Sequence, residues 1–181
     1  MNKIRILNSL LSFLLMFICI SVEAAKRSDK ASHMNNAKLQ SIIEKIDEKY
    51  QGRPGFWQLT IEGVGIQIVT DENADRMRIM APILKVDNLN KEELLRLMQA
   101  NFDSALDSRY AIANGILWGT FIHPLSSLTT KDFIMGLGQT VNVVISYGST
   151  YSSGALVFGG GDSGELQREL MQRLKRLSDA I

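Results

Sequence analysis

The stretch RYAIANGILWGTFI, Arg109 to Ile122, holds the strongest local signal in the chain. Asn114-Gly115 sits between two apolar runs. A two-residue type I′ turn needs positive φ at both central positions, which Asn and Gly tolerate at low cost. The spacing therefore predicts a β-hairpin, with one strand at RYAIA and the other from Ile116 to Ile122. Working outward, Asn90 and Glu93 have the spacing of a capping box, so a helix is predicted from Lys91 to about Leu106. Leu94, Leu95, Met98, Phe102 and Ala105 form its apolar face. Downstream, HPLSSLTTKDF leads to a second cap, Thr129 with Asp132. A long helix follows, with Phe133, Ile134, Leu137, Val141, Val144 and Ile145 as a broad apolar face, ending near Tyr147-Gly148.

Further upstream the apolar period is two. Phe56 to Ile61, Val64 to Val69 and Arg76 to Ile83 are strand candidates. Glu62-Gly63 and DENAD, Asp71 to Asp75, are the turns between them. Met77, Ile79 and Ala81 alternate with Arg76, Arg78 and Met80, as in an antiparallel meander covered on one face. Pro82 lacks a donor and fits a strand end or an edge strand, not a central one. Before the meander, Leu39, Ile42, Ile43, Ile46 and Tyr50 make one helical stripe, capped by Asn35 or Asn36 and stopped by QGRPG. The fold class is α+β: helix, three-strand antiparallel meander, helix, β-hairpin, long helix, plus an extra C-terminal amphipathic helix.

The ends differ in character. Lys3 and Arg5 precede an apolar run from Ile6 to Ile20, and Val22-Glu23-Ala24 offers a cleavage site. This is the layout of a secretory signal peptide over 1–24, the alternative being an uncleaved anchor. Either reading places the rest of the chain outside the cytoplasm. Ile18 before Cys19 is too large for a lipidation box. Residues 25–35 read as a polar lead-in that includes His33. Cleavage removes two of 20 basic and one of 19 acidic residues, leaving 18 of each and no cysteine. Disulfides and thiolate zinc sites are then excluded, and the balanced charge gives no field for nucleic acid. The α+β body is expected over 36–153, a Gly-rich linker over 154–164 and an amphipathic helix over 165–181, with no membrane span after cleavage.

The linker, ALVFGGGDSGELQREL, matches two chemical motifs. Gly159, Gly161 and Gly164 fit G-x-G-x-x-G, but a dinucleotide site needs a further strand and an acidic residue about 20 positions on. Only 17 residues follow Gly164. GDSG also suits a trypsin-like nucleophile, which requires a histidine and an aspartate in a double barrel. The three helices do not fit that architecture. A flexible joint followed by a cap at Asp162 or Ser163, with Glu165 completing a capping box, accounts for the whole segment.

No paired-carboxylate, metal or triad pattern stands out, and the expectation is a non-enzyme with no catalytic residue, no metal and no cofactor. Trp57, Trp118 and Phe121 on strands, with His123 at a strand end, are the candidate partner contacts; core packing competes for the aromatics. A second reading uses His123 and the Ser/Tyr-rich connector, Tyr147 to Ser153, as a small-ligand or hydrolase pocket.

From Lys91 onward, LLRLMQANFDSALDSRYAIANGILWGTFIHPLSSLTTKDFIMGLGQTVNVVISYG resembles the second half of type III secretion chaperones of the Tir-chaperone kind. The element order from Asn36 to Gly148 completes the pattern. The resemblance implies a small non-enzymatic α+β domain, often a homodimer, that holds a partner protein's segment in non-globular form by strand addition and apolar pockets. It implies a dimer interface on the helix from Lys91 and the strand from Ile116, at Leu95, Met98, Phe102 and Ile116. Two features depart from the family: the export signal and the near-neutral charge. The expected partner is thus a protein, met in the periplasm or outside the cell.

Overall fold

The computed structural model describes residues 33–103 and 105–148, with 168–169, 171–174 and 176 near the C-terminus. The expected signal (1–24), most of the lead-in, connector 149–153, the linker 154–164 and much of the segment 165–181 lie outside the described residues. In chain order the elements are α1 (Asn36–Ile46), β1 (Gln51–Arg53), β2 (Phe56–Ile61), β3 (Val64–Asp71), β4 (Arg76–Lys85), a 3₁₀ turn (Val86–Asn88), α2 (Lys91–Asp103), β5 (Arg109–Ala113), β6 (Ile116–His123) and α3 (Thr130–Ile145). The class is α+β, as the sequence predicts.

All six strands form one antiparallel sheet in the order β1-β2-β3-β4-β6-β5. The predicted hairpin forms, with φ of 53° at Asn114 and 72° at Gly115. Glu62 and Gly63 repeat this geometry between β2 and β3, with φ of 50° and 78°. The turn after β3 is pinned by Asp71, whose Oδ1 accepts the N–H groups of Asn73 and Ala74 at 2.9 and 3.0 Å.

The caps predicted at Asn90 with Glu93 and at Thr129 with Asp132 are both present as capping boxes, while the one expected at Asp162 with Glu165 lies outside the described residues. Asn90 and Glu93 exchange backbone-to-side-chain bonds of 2.8 and 2.9 Å at the start of α2. Thr129 and Asp132 do the same for α3. Asn35 caps α1, its Oδ1 accepting Lys38 N–H at 2.9 Å. Each such cap satisfies donors that would otherwise be orphaned, at about 1 kcal/mol.

Four expectations are corrected. The first helix ends at Ile46, not Tyr50, because Asp47 is extended and its carboxylate takes the N–H groups of Lys49 and Thr60. QGRPG is a strand and turn rather than a plain stop: Gln51–Arg53 add a short edge strand to β2. Pro82 does lie in a central strand, β4. The pairing of β3 with β4 ends at Gln67↔Met80, so Pro82 has only β6 beside it and sits at a bulge between Pro82 and Leu84. No ladder donor is required of it there. Finally, α2 buries Leu97 and Ala100, while Leu95, Met98 and Phe102 of its expected apolar face point outward.

The main core lies between one sheet face and helices α1 and α3. Trp57, Leu59, Ile66, Ile68, Met77 and Ile79 meet Leu39, Ile43, Phe133, Leu137 and Val141 there. A smaller cluster of Leu97, Ala100, Tyr110, Leu117 and Val143 seats α2 against the β5–β6 end. Between the two, buried Gln139 and Thr140 of α3 hold the loop before β5. Gln139 Oε1 accepts Asp107 and Ser108 N–H at 3.0 and 3.2 Å, and the Ser108 and Thr140 hydroxyls lie 3.0 Å apart. Helix α3 is buried on nearly every side from Phe133 to Val143, because helical residues near the C-terminus add a further layer. Leu174 is buried in the main core, Met171 lies against Gly138 and Arg173 bridges to Glu62 at 2.6 Å.

Candidate functional site: the open face of the sheet

With every described helix contact on the other side, the second face of the sheet is left open. Strand alternation decides which residues occupy it. In β2 the pattern is exposed-buried throughout, so Phe56, Gln58 and Thr60 lie on the open face. Val69 and Gln67 of β3, Arg76, Arg78 and Met80 of β4, and Ile116, Trp118, Thr120 and Ile122 of β6 join them.

The register sorts these residues into transverse rows. One row runs Arg53–Phe56–Val69–Arg78–Ile122. Its Phe56, Val69 and Ile122 are 38%, 36% and 55% exposed. A second row runs Gln51–Gln58–Gln67–Met80–Thr120–Arg109. Pro82, Trp118 and Ala111 form a third. Where β3 and β4 part, a trough of about 500 Å³ opens, lined by Gln51, Gln58, Gln67 and Pro82, with Asp47 and Lys49 on its rim. The three glutamine amides offer donors and acceptors to a passing backbone. Thr120 Oγ1 is covered and has no hydrogen-bond partner among the described residues.

The four candidate contacts read from the sequence divide between the faces. Trp118 is on the open face, half-buried, with its indole N–H donated to Ala113 O at 3.1 Å. Trp57 points into the core, is fully buried and donates to Gln40 Oε1. Phe121 is also on the helix side and 6% exposed, its ring against Gly136 of α3. His123 follows it at the strand end, stacked on the Phe121 ring at 6.0 Å, and its Nδ1–H donates to Pro124 O at 2.7 Å. Trp57, Phe121 and Trp118 therefore do not make one surface.

His123 borders a cleft of about 360 Å³ with Asp107, Arg109, Ile122, Asp132 and Met135. The Thr129 hydroxyl, above all, holds the Asp132 carboxyl below its ordinary value of 3.8; burial opposes this, and the Thr129 backbone N–H and nearby His123 and Lys131 reinforce it. Asp132 is committed to the helix cap, and Asp107 accepts from Gln139 Nε2 at 3.2 Å. Among the described residues no hydroxyl or carboxylate hydrogen-bonds His123, and no group of three or more His, Asp or Glu is placed to hold a metal.

A second exposed feature is an apolar stripe on α2 and the loop after it. Leu95, Met98, Phe102 and Leu106 are 61%, 51%, 75% and 51% exposed. The fourth residue of the expected dimer interface, Ile116, is half-buried at the start of β6, on the open face.

No protein-family model matches the sequence, and no curated protein matches it. Solved structures do. A chain of the ExsC–ExsE complex superimposes with a TM-score of 0.51 at 15% identity, covering 67% of this chain and 100% of that one. The chain has the secretion-chaperone-like fold. A chain of the HopA1–SchA chaperone–effector complex gives a TM-score of 0.43 at 8% identity, over 51% of this chain and 74% of that one.

Proposed function

We propose that the protein is an exported, non-enzymatic, chaperone-like module that holds a segment of a partner protein on the open face of its sheet. The observation that carries this reading is the open face itself: transverse rows of partly exposed apolar, amide and arginine side chains beside a trough. Such a surface accepts an extended chain, whose backbone meets the amides while alternate side chains meet the apolar positions. The shared fold with a chain of the ExsC–ExsE complex supports the reading. Export rests on the N-terminal residues, Lys3 to Ala24. The homodimer rests on the α2 stripe, since contiguous exposed apolar residues mark association surfaces.

A photo-crosslinking residue at Gln58 or Thr60, in the native cell, tests the reading. Recovery of the same partner protein from both positions, and not from the exposed control Glu48, is expected. Equal capture from all three would overturn it. The cleft at His123 supports a second reading, a small-ligand protein or hydrolase. His123→Ala compared with wild type over ester, peptide and glycan panels tests it, and no difference sinks it.

A further inference from the structure

The open face is basic although the whole chain is balanced. Formal charge over the sequence is +1. On this face, however, Arg53, Arg76, Arg78 and Arg109 are accompanied by one strand carboxylate, Asp71, at its margin. Asp71 is engaged by its own turn. The guanidinium groups of Arg53, Arg76 and Arg78 are exposed and have no hydrogen-bond or ion-pair partner among the described residues, although Asp71 stands opposite Arg76 in the register. Three unpaired guanidinium groups on the surface read as the binding face have no internal structural task. A guanidinium fork binds carboxylates bidentately, with more directional strength than an ammonium.

We infer that the occupant of this face is an acidic, extended segment of another protein, in which acidic and apolar side chains alternate. The inference rests on the proposed binding reading and adds the chemistry of the partner. Its geometry follows from the first row. Arg53 on β1 and Arg78 on β4 stand three strand spacings apart, roughly 14 Å. In an extended chain crossing the strands, residues i and i+4 lie about 13 Å apart on one side, with i+2 between them. Carboxylates at i and i+4 thus reach Arg53 and Arg78, and an apolar residue at i+2 falls over Phe56 and Val69. One step further, another apolar residue meets Ile122. Nucleic acid is the weaker fit, because the cations are interrupted by apolar side chains and the chain carries no general positive field.

Fluorescence anisotropy with the full chain tests this. The probes are a labelled peptide of repeated Glu-Ser-Leu-Ser, the same peptide with Gln for Glu, a labelled single-stranded oligonucleotide, and vesicles containing anionic phosphatidylglycerol. The Glu peptide is expected to bind about tenfold more tightly than the Gln peptide, with the advantage shrinking as salt rises. The R53Q/R78Q double variant is expected to remove that advantage. Both positions are solvent-exposed, and an unchanged circular dichroism spectrum shows the fold intact. Equal binding of the two peptides, binding of neither, or an advantage surviving in the double variant overturns the inference. Preferential binding of the oligonucleotide or the vesicles overturns it too. Should crosslinking at Gln58 and Thr60 capture a partner whose bound segment is neutral or basic, the chaperone-like reading stands and the acidic partner does not.

Discussion

The ring of Phe121 occupies the space where any side chain at position 136 would begin. A Cβ on Gly136 would stand 2.6 Å from Phe121 Cδ1 and Cε1, well inside contact distance. The two residues let α3 lie directly on β6. Gly136→Ala gains up to about 1 kcal/mol of helix propensity, yet the clash of a fully packed ring costs about 1–3 kcal/mol. A lower urea midpoint is expected for this variant. A raised midpoint would mean that α3 is free to move off the sheet.

Leu174 is buried in the same cluster as Leu39 and Trp57. Leu174→Ala is therefore expected to destabilise the whole fold by about 2–5 kcal/mol. Arg173→Ala, which removes only the exposed bridge to Glu62, should cost under about 1 kcal/mol. Equal midpoints for the two variants in denaturant titrations would show that the helical layer adds nothing to the core.

The Thr129–Asp132 cap carries a pH signature. Asp132 is held below its ordinary value of 3.8, chiefly by the Thr129 hydroxyl. A carboxyl depressed in the folded state contributes stability above its unfolded pKa and loses it as pH falls through the folded one. Thr129→Val is expected to cost about 1 kcal/mol at neutral pH. That difference should shrink when pH drops below the ordinary carboxylate range. A gap independent of pH in paired urea titrations would assign the loss to packing instead.

The α2 stripe makes a prediction about association. Phe102 is 75% exposed and Met98 51%. Met98→Glu with Phe102→Glu should leave the circular dichroism spectrum unchanged while converting a dimer to a monomer in light scattering. Wild type that is monomeric at high concentration would refute self-association through this stripe.

The fold was legible wherever a local rule had a single answer. Asn114-Gly115, Asn90 with Glu93, and Thr129 with Asp132 each specify a turn or a cap by chemistry within four residues, and each forms. The site was less legible because it depends on parity and register. Trp118 and Phe121 are three apart on β6 and so face opposite ways, although aromatic character groups them in the sequence. The transverse rows come from pairings such as Val69↔Arg78 and Arg78↔Ile122, which no single strand announces. On α2, Leu97 and Ala100 form the buried side with only modest apolar area. The larger Leu95, Met98 and Phe102 look more like a core stripe than they are. Pro82 obeys its donor rule by occupying the one part of a central strand where a neighbour has ended.

The burial of Leu174 beside Leu39 also sets a timetable. The main core takes Leu39 from before the first strand and Leu174 from after α3, so an emerging chain cannot complete it early. Until the residues around Met171 and Leu174 have emerged from the ribosome, the Gly138 side of α3 is left bare. The chain then meets its surroundings with apolar surface uncovered until the turns carrying Met171 and Leu174 arrive. A stall or truncation before Met171 would present quality-control proteases with a sheet and three helices whose core lacks one wall.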